Sequence, residues 1–287
     1  MDVQIFARNG NVTITGRDES VEEVAEIIEK MQNRLSKRGK LNPDDINELI
    51  AQTQNRVKPG KDESIVVYSQ KGVIEPSTRG QLNYIKTIFK NHLTFCTGPA
   101  GTGKTYLAVA AAISMLKKRQ TRKLILARPA VEAGEKLGFL PGDLQAKVNP
   151  YLRPLFDSLE DMMDFGQMKK FIEMDIIEVI PLAFMRGRTL NEAVVICDEA
   201  QNTSPSQMLM ILTRLGRGSK MIVTGDITQI DLEKGQKSGM IDAQTTLQGI
   251  RGIGFVELDK TDIVRHSLVQ NIVHAYNKKK KDISKDS

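Results

Sequence analysis

Residues 93–105 read Leu93-Thr-Phe-Cys-Thr-Gly98-Pro-Ala-Gly101-Thr-Gly103-Lys104-Thr105. From Gly98 to Thr105 they satisfy G-x-x-x-x-G-K-[ST] in full, directly after the apolar run Leu93 to Cys96 and at the head of an Ala-rich stretch, Lys104 to Lys118. Strand, Gly-rich loop, then helix is the context in which this pattern binds phosphate. Glycines at 98, 101 and 103 let consecutive backbone amides turn inward toward phosphate oxygens, and the helix N-terminus adds partial positive charge. Lys104 is placed to reach the β and γ phosphates, and the Thr105 hydroxyl to take a Mg²⁺ position. The bland alternative is a Gly-rich structural turn.

Outward from the loop, apolar runs alternate with helical stretches. The runs are Leu93 to Cys96, Leu124 to Ala127, Ile176 to Ile180, Val194 to Cys197, Met221 to Thr224 and Phe255 to Leu258. Short β-rich runs without alternation describe strands buried on both faces, so the expected fold class is α/β: a P-loop domain built on a parallel sheet flanked by helices. Helices are expected at Gly80 to Lys90, Lys104 to Lys118, Pro154 to Met163, Pro205 to Leu215 and Asp262 to Tyr276. Val194-Val-Ile-Cys-Asp198-Glu199 is an apolar strand ending in two carboxylates. Asp198 is placed to hold Mg²⁺, and Glu199 to polarise an attacking water as general base. No Asn-Lys-x-Asp guanine-selecting motif occurs, which favours ATP. Thr224-Gly-Asp226 with Gln229 follows the next strand, which in this sheet type lies between the other two, where a polar group can sense the γ phosphate.

Before this core, Val3 to Ala7 and Val12 to Thr15 alternate around a Gly-containing turn, predicting a hairpin. Ser20-Val-Glu-Glu23 predicts a capping box opening an amphipathic helix with Val21, Val24, Ile28, Met31 and Leu35 on one face. Asn42-Pro43 predicts the cap and first residue of a shorter helix. The chain thus divides into a small α+β module at 1–54, a linker and short lead-in strand at 55–73, the P-loop domain at 74–276 and a basic, disordered tail at 277–287.

The 287 residues carry a formal net charge of +6, of which +3 falls in the tail and −2 in residues 1–64. The charge therefore permits a nucleic-acid partner without demanding one. Aromatics are 5% with no Trp, which argues against a base-stacking platform and for sequence-tolerant, salt-sensitive backbone contacts. Apolar runs are too short to span a membrane, no signal-peptide pattern opens the chain, and the two Cys, Cys96 and Cys197, lie inside apolar runs as buried free thiols. A cytoplasmic location is expected.

Taken together, Asp198-Glu-Ala-Gln-Asn202, Gly225-Asp226 and Gln229 resemble motifs II and III of superfamily 1 helicases. The wider set resembles the PhoH-like ATPase family more closely, over about residues 74 to 276. It comprises Pro76 to Gln81, Gly98 to Thr105, Pro181-Leu-Ala-Phe-Met-Arg-Gly-Arg-Thr189, Asp198 to Asn202, Thr224 to Gln229 and Asp262-Ile-Val-Arg265-His-Ser-Leu-Val. The resemblance implies a RecA-like ATPase core, ATP and Mg²⁺ as cofactors, single-stranded RNA as partner, and assembly into a homo-oligomeric ring, taken as a hexamer. It implies nucleotide contacts from Gly98, Pro99, Ala100, Gly101, Thr102, Gly103, Lys104, Thr105 and Tyr106, with Gln81 reading adenine. Metal ligation falls to Thr105 and Asp198, and catalysis to Lys104, Glu199, Gln229 and Arg265. Superfamily 1 helicases carry the equivalent of Arg265 on a second core, and the 22 residues after Arg265 are too few for one. Either Arg265 reaches its own site or a neighbouring subunit supplies it. The neighbour is favoured, hence the ring. Arg128, Arg186 and Arg188 are further candidates for phosphate or RNA contact. Any RNA cleavage would need a separate RNase partner. The rival readings are a protein-remodelling or switch ATPase without nucleic acid, and a non-hydrolysing scaffold.

Overall fold

The computed structural model describes residues 3–8, 11–54, 65–66, 73–129, 144–233 and 235–264. The expected hairpin forms from β1 (Val3–Arg8) and β2 (Asn11–Gly16), antiparallel with Val3 opposite Gly16. Helix α1 (Asp18–Arg38) begins two residues before Ser20 and has no side-chain cap, so the expected capping box does not form. Asp18 instead puts an acidic residue in the first turn, where the helix dipole favours it. Helix α2 (Pro43–Gln54) starts at the expected proline, and Arg34 on α1 pairs with Asp45 on α2 at 3.1 Å. The expected linker, 55–63, lies outside the described residues. After it β3 (Ile65–Val66) pairs antiparallel with β4 (Val73–Ile74).

The core follows as α3 (Arg79–Lys90), β5 (Leu93–Thr97), α4 (Lys104–Lys117), β6 (Lys123–Arg128), α5 (Leu144–Glu160), α6 (Phe165–Glu173) and β7 (Ile177–Pro181). It continues with β8 (Ala193–Cys197), α7 (Pro205–Leu212), β9 (Lys220–Gly225), α8 (Gly239–Thr246) and β10 (Ile253–Glu257). Six strands, one for each expected apolar run, form one sheet in the order β10-β5-β9-β8-β6-β7, parallel at every pairing. Successive strand residues feed opposite faces. Cys96, Leu124, Leu126, Val194 and Ile196 meet α3, α4 and α5, while Phe95, Ile125, Val195 and Cys197 meet α7 and α8. Apolar burial on both faces holds the sheet between its helix layers.

Three expectations about helices need correction. Helix α5 begins at Leu144 rather than Pro154 and runs through Pro150 and Pro154. An interior proline costs about 3 kcal/mol in a helix. Burial of Leu152, Leu155 and Leu159 offsets it. Helices α6 and α8 were not anticipated. Finally, Asp262 does not open a helix. Lys260–Asp262 is a single 3₁₀ turn capped by Asp259, and Ile263 leaves it extended. Arg265 and the rest of that expected helix, like the tail 277–287, lie outside the described residues.

Candidate active site

Strand order decides which loops meet. β9 lies between β5 and β8, as expected, with Thr97 opposite Gly225 and Cys197 opposite Val223. The phosphate loop, Asp198 and Asp226 therefore emerge side by side at the C-terminal edge of the sheet, where open α/β sheets hold ligands. In the loop, Gly101 and Gly103 have φ of +87° and +82°, the left-handed region a side chain disfavours. At Gly98 a Cβ would lie 2.5 Å from the Leu258 carbonyl oxygen, so the last residues of the sheet's β10 flank close the loop from outside. Lys104 Nζ donates to the carbonyls of Gly98 (2.6 Å) and Pro99 (2.9 Å). Burial pulls its pKa down, opposed by the negative groups around it, Asp226, Asp198 and Glu199 among them. Tyr106 is half-buried and packs on the core beneath the loop.

Thr105 Oγ1 donates to Asp198 Oδ1 at 2.6 Å, across 93 residues of sequence. Thr224 Oγ1 donates to the same oxygen at 2.8 Å. Among the described residues no group of three or more His, Cys, Asp or Glu gathers as a resident metal site. One carboxylate beside one hydroxyl suits Mg²⁺, which is usually bound through one or two carboxylates plus waters and substrate phosphate. The donor set thus fits a cation that arrives with nucleotide.

Glu199 has φ +52°, a conformation uncommon outside glycine and asparagine. Its two carboxylate oxygens are both engaged: Oε1 faces Arg128 Nη2 at 3.2 Å and Oε2 accepts from Gln201 Nε2 at 2.6 Å. Gln201 also donates to the Gln229 carbonyl (3.0 Å) and accepts from the Asp226 amide (3.1 Å). This buried glutamine, given no role of its own from sequence, joins the acidic pair to the Thr224–Gln229 segment. The only signal available was its place in Asp198-Glu-Ala-Gln. Gly225 makes room for it, since a Cβ there would lie 2.6 Å from Gln201 Oε1. Gln229 Nε2 is held on Asp226 Oδ2 at 2.7 Å.

Gln81 is buried beside the loop. Its Nε2 donates to the Thr102 carbonyl (3.1 Å) and its Oε1 accepts from the Ser77 amide (2.8 Å). Each end keeps one further bonding position, so the side chain braces the phosphate loop with one donor and one acceptor to spare. A second unanticipated link is Asp262, buried, which accepts from Thr78 Oγ1 and, through Oδ2, from the Asp259 amide at 3.0 Å. Two residues on, the Val264 amide donates to the Gly101 carbonyl at 3.0 Å, so the chain immediately before Arg265 is tied to its own phosphate loop. Of the other arginines, Arg188 pairs with Glu178 at 2.8 Å, Arg186 is exposed, and Arg128 joins the site. Cys96 and Cys197 are buried free thiols whose pKa values burial drives upward, as expected of packing residues. No helix among the described residues is long and apolar enough to cross a membrane.

Comparison with known proteins agrees with this geometry. The family model described as "PhoH-like protein" matches residues 73–277. The chain is 47% identical to a PhoH-like protein of Bacillus subtilis over 97% of this chain and 88% of that one. It is 57% identical to one from Synechocystis over 72% of this chain and 63% of that one. Among solved structures, the UvsW helicase of bacteriophage T4 aligns at 11% identity and a TM-score of 0.42, covering 90% of this chain and all (100%) of that one, a likeness too slight to carry an argument. The chain therefore belongs to the PhoH-like family, and the matched residues include its P-loop.

Proposed function

We propose that this chain is a Mg²⁺-dependent ATPase that couples ATP hydrolysis to binding, remodelling or unwinding of single-stranded RNA, working in the cytoplasm as a ring of identical subunits. The observation that carries the hydrolytic reading is the Thr105–Asp198 contact of 2.6 Å, with Glu199 next in the chain. It supports reading Thr105 and Asp198 as a metal-binding pair, with Glu199 as general base, beside a phosphate loop. Lys104 leaves its loop carbonyls to bind the β and γ phosphates, and Thr105 and Asp198 hold the cation. Bound Mg²⁺ supplies charge neutralisation at the phosphate oxygens. Glu199 takes the proton of the attacking water, Gln229 reads the γ phosphate, Gln81 offers its remaining donor and acceptor to adenine, and Arg265 stabilises charge building at the γ phosphate. The RNA and ring assignments rest on the motif set from Pro76 to Arg265.

A second reading has support from one contact. The Val264 amide bonded to Gly101 allows Arg265 to serve its own subunit, in which case hydrolysis does not require a ring. The test of the main reading is steady-state ATP hydrolysis with and without poly(U) over a salt series. Hydrolysis stimulated by RNA, with the stimulation fading as salt rises, is expected. Hydrolysis indifferent to RNA, together with no salt-sensitive RNA binding, would turn the assignment toward a protein-remodelling or switch ATPase.

A further inference from the structure

Arg128 ends β6, which lies on the far side of β8 from β9. At about 4.8 Å per strand, it starts roughly 14 Å from the strand that carries the phosphate loop. Glu199 follows β8, the strand directly beside β6, and the guanidinium reaches its Oε1 at 3.2 Å, while Nη1 donates to the Tyr151 carbonyl at 3.1 Å. Gln201 holds the other Glu199 oxygen at 2.6 Å, and the left-handed backbone at Glu199 fixes the direction from which the side chain leaves. The carboxylate is thus held in one pose by a cation on one oxygen and an amide on the other.

The pair is not sealed. The side chains are 21% (Arg128) and 36% (Glu199) exposed, a setting in which ion pairs are weak and open to competition. A guanidinium has five N–H donors in a planar fork that matches two phosphate oxygens, and these contacts leave donors free. On the side away from the phosphate loop, Arg128 is paired with Pro181 of β7, and that strand leads through a 3₁₀ turn to exposed Arg186. Along the sheet, Arg128 and the β7 end that precedes Arg186 therefore lie on the side of Glu199 away from the strand that carries the phosphate loop.

We infer that Arg128 is a positioning residue that latches Glu199 in the absence of RNA, and that a backbone phosphate of bound RNA draws the guanidinium away and frees the carboxylate to orient the attacking water. The inference rests on the proposed role of Glu199 and adds the means by which RNA controls it.

The test is ATP hydrolysis by the full chain, with and without poly(U), for wild type, Arg128→Gln and Arg128→Lys. The glutamine variant keeps a polar, hydrogen-bonding side chain but carries no charge. Its RNA-free rate should rise about two- to fivefold, the range a partly exposed ion pair supports, and its stimulation by RNA should fall close to unity. The lysine variant should regain a low RNA-free rate and part of the response. An Arg128→Gln protein that loses rate but keeps the wild-type ratio of stimulated to unstimulated hydrolysis would overturn the latch, since that is what a structural role predicts. The latch is equally overturned if the variant keeps that ratio but no longer prefers a non-hydrolysable ATP analogue to ADP, which would place Arg128 on the γ phosphate. Wild type that hydrolyses ATP without responding to RNA also overturns it. Wild type and Arg128→Gln both silent with and without RNA would sink the ATPase reading and the latch with it.

Discussion

At Asp226, burial alone would raise the carboxyl pKa. The Thr228 hydroxyl and amide, the charge of Lys104 and the Gln229 amide outweigh it and hold the group below the usual carboxylate range. A carboxyl whose folded pKa is depressed binds fewer protons folded than unfolded, so its stabilising share is complete above the unfolded value of about 3.9 and is lost as pH falls through the folded one. Asp226→Asn should therefore flatten the acid limb of a stability curve measured by urea unfolding from about pH 3 to pH 6. Parallel acid limbs for variant and wild type would show that Asp226 titrates alike in both states. Asp226 was visible in the sequence as part of Thr224-Gly-Asp226. Its partners were not, because the Gln201 link depends on the left-handed turn at Glu199 and on the missing Cβ at Gly225, neither of which a linear pattern encodes.

Among the elements, the strands were legible and the helices less so. Each strand of the sheet is a continuous apolar run because both of its faces are covered, and that signal survives without knowledge of pairing. Helix α5 misled because proline at 154 reads as a helix start, whereas the buried stripe Leu152, Leu155 and Leu159 carries the helix through it. The turn at Lys260–Asp262 is capped locally by Asp259, but what fixes it in the fold is a contact nearly the whole core length away, which a linear pattern does not show. Asp262 accepts from Thr78, the cap of α3, and Gly80 in the first turn of that helix lies against the same carboxylate. A Cβ at residue 80 would collide with Asp262, so Gly80→Ala should cost about 1–3 kcal/mol, the usual penalty of overpacking. The double change Gly80→Ala with Asp262→Ala should cost less than the sum of the two single changes. Additive losses in chemical unfolding would mean that the two positions are not coupled.

For the whole molecule, one parallel sheet brings three successive strand ends into one site, and the neighbouring flank adds Arg128. Whether one chain is sufficient turns on Arg265. Mixing Arg265→Ala with Lys104→Ala subunits should restore part of the ATP hydrolysis that each lacks alone if arginines are shared around a ring. No recovery in mixtures shown to co-assemble would assign Arg265 to its own subunit, as the Val264–Gly101 bond allows. The central claim is narrower than either outcome: that the strand end at Asp198-Glu199, set beside the phosphate loop, is a hydrolytic centre. Its most direct test is ATP binding and turnover by Glu199→Gln beside wild type. Loss of turnover by about a hundredfold or more, with ATP affinity kept within about twofold, is the predicted result. Turnover at the wild-type rate with Glu199 replaced would contradict it.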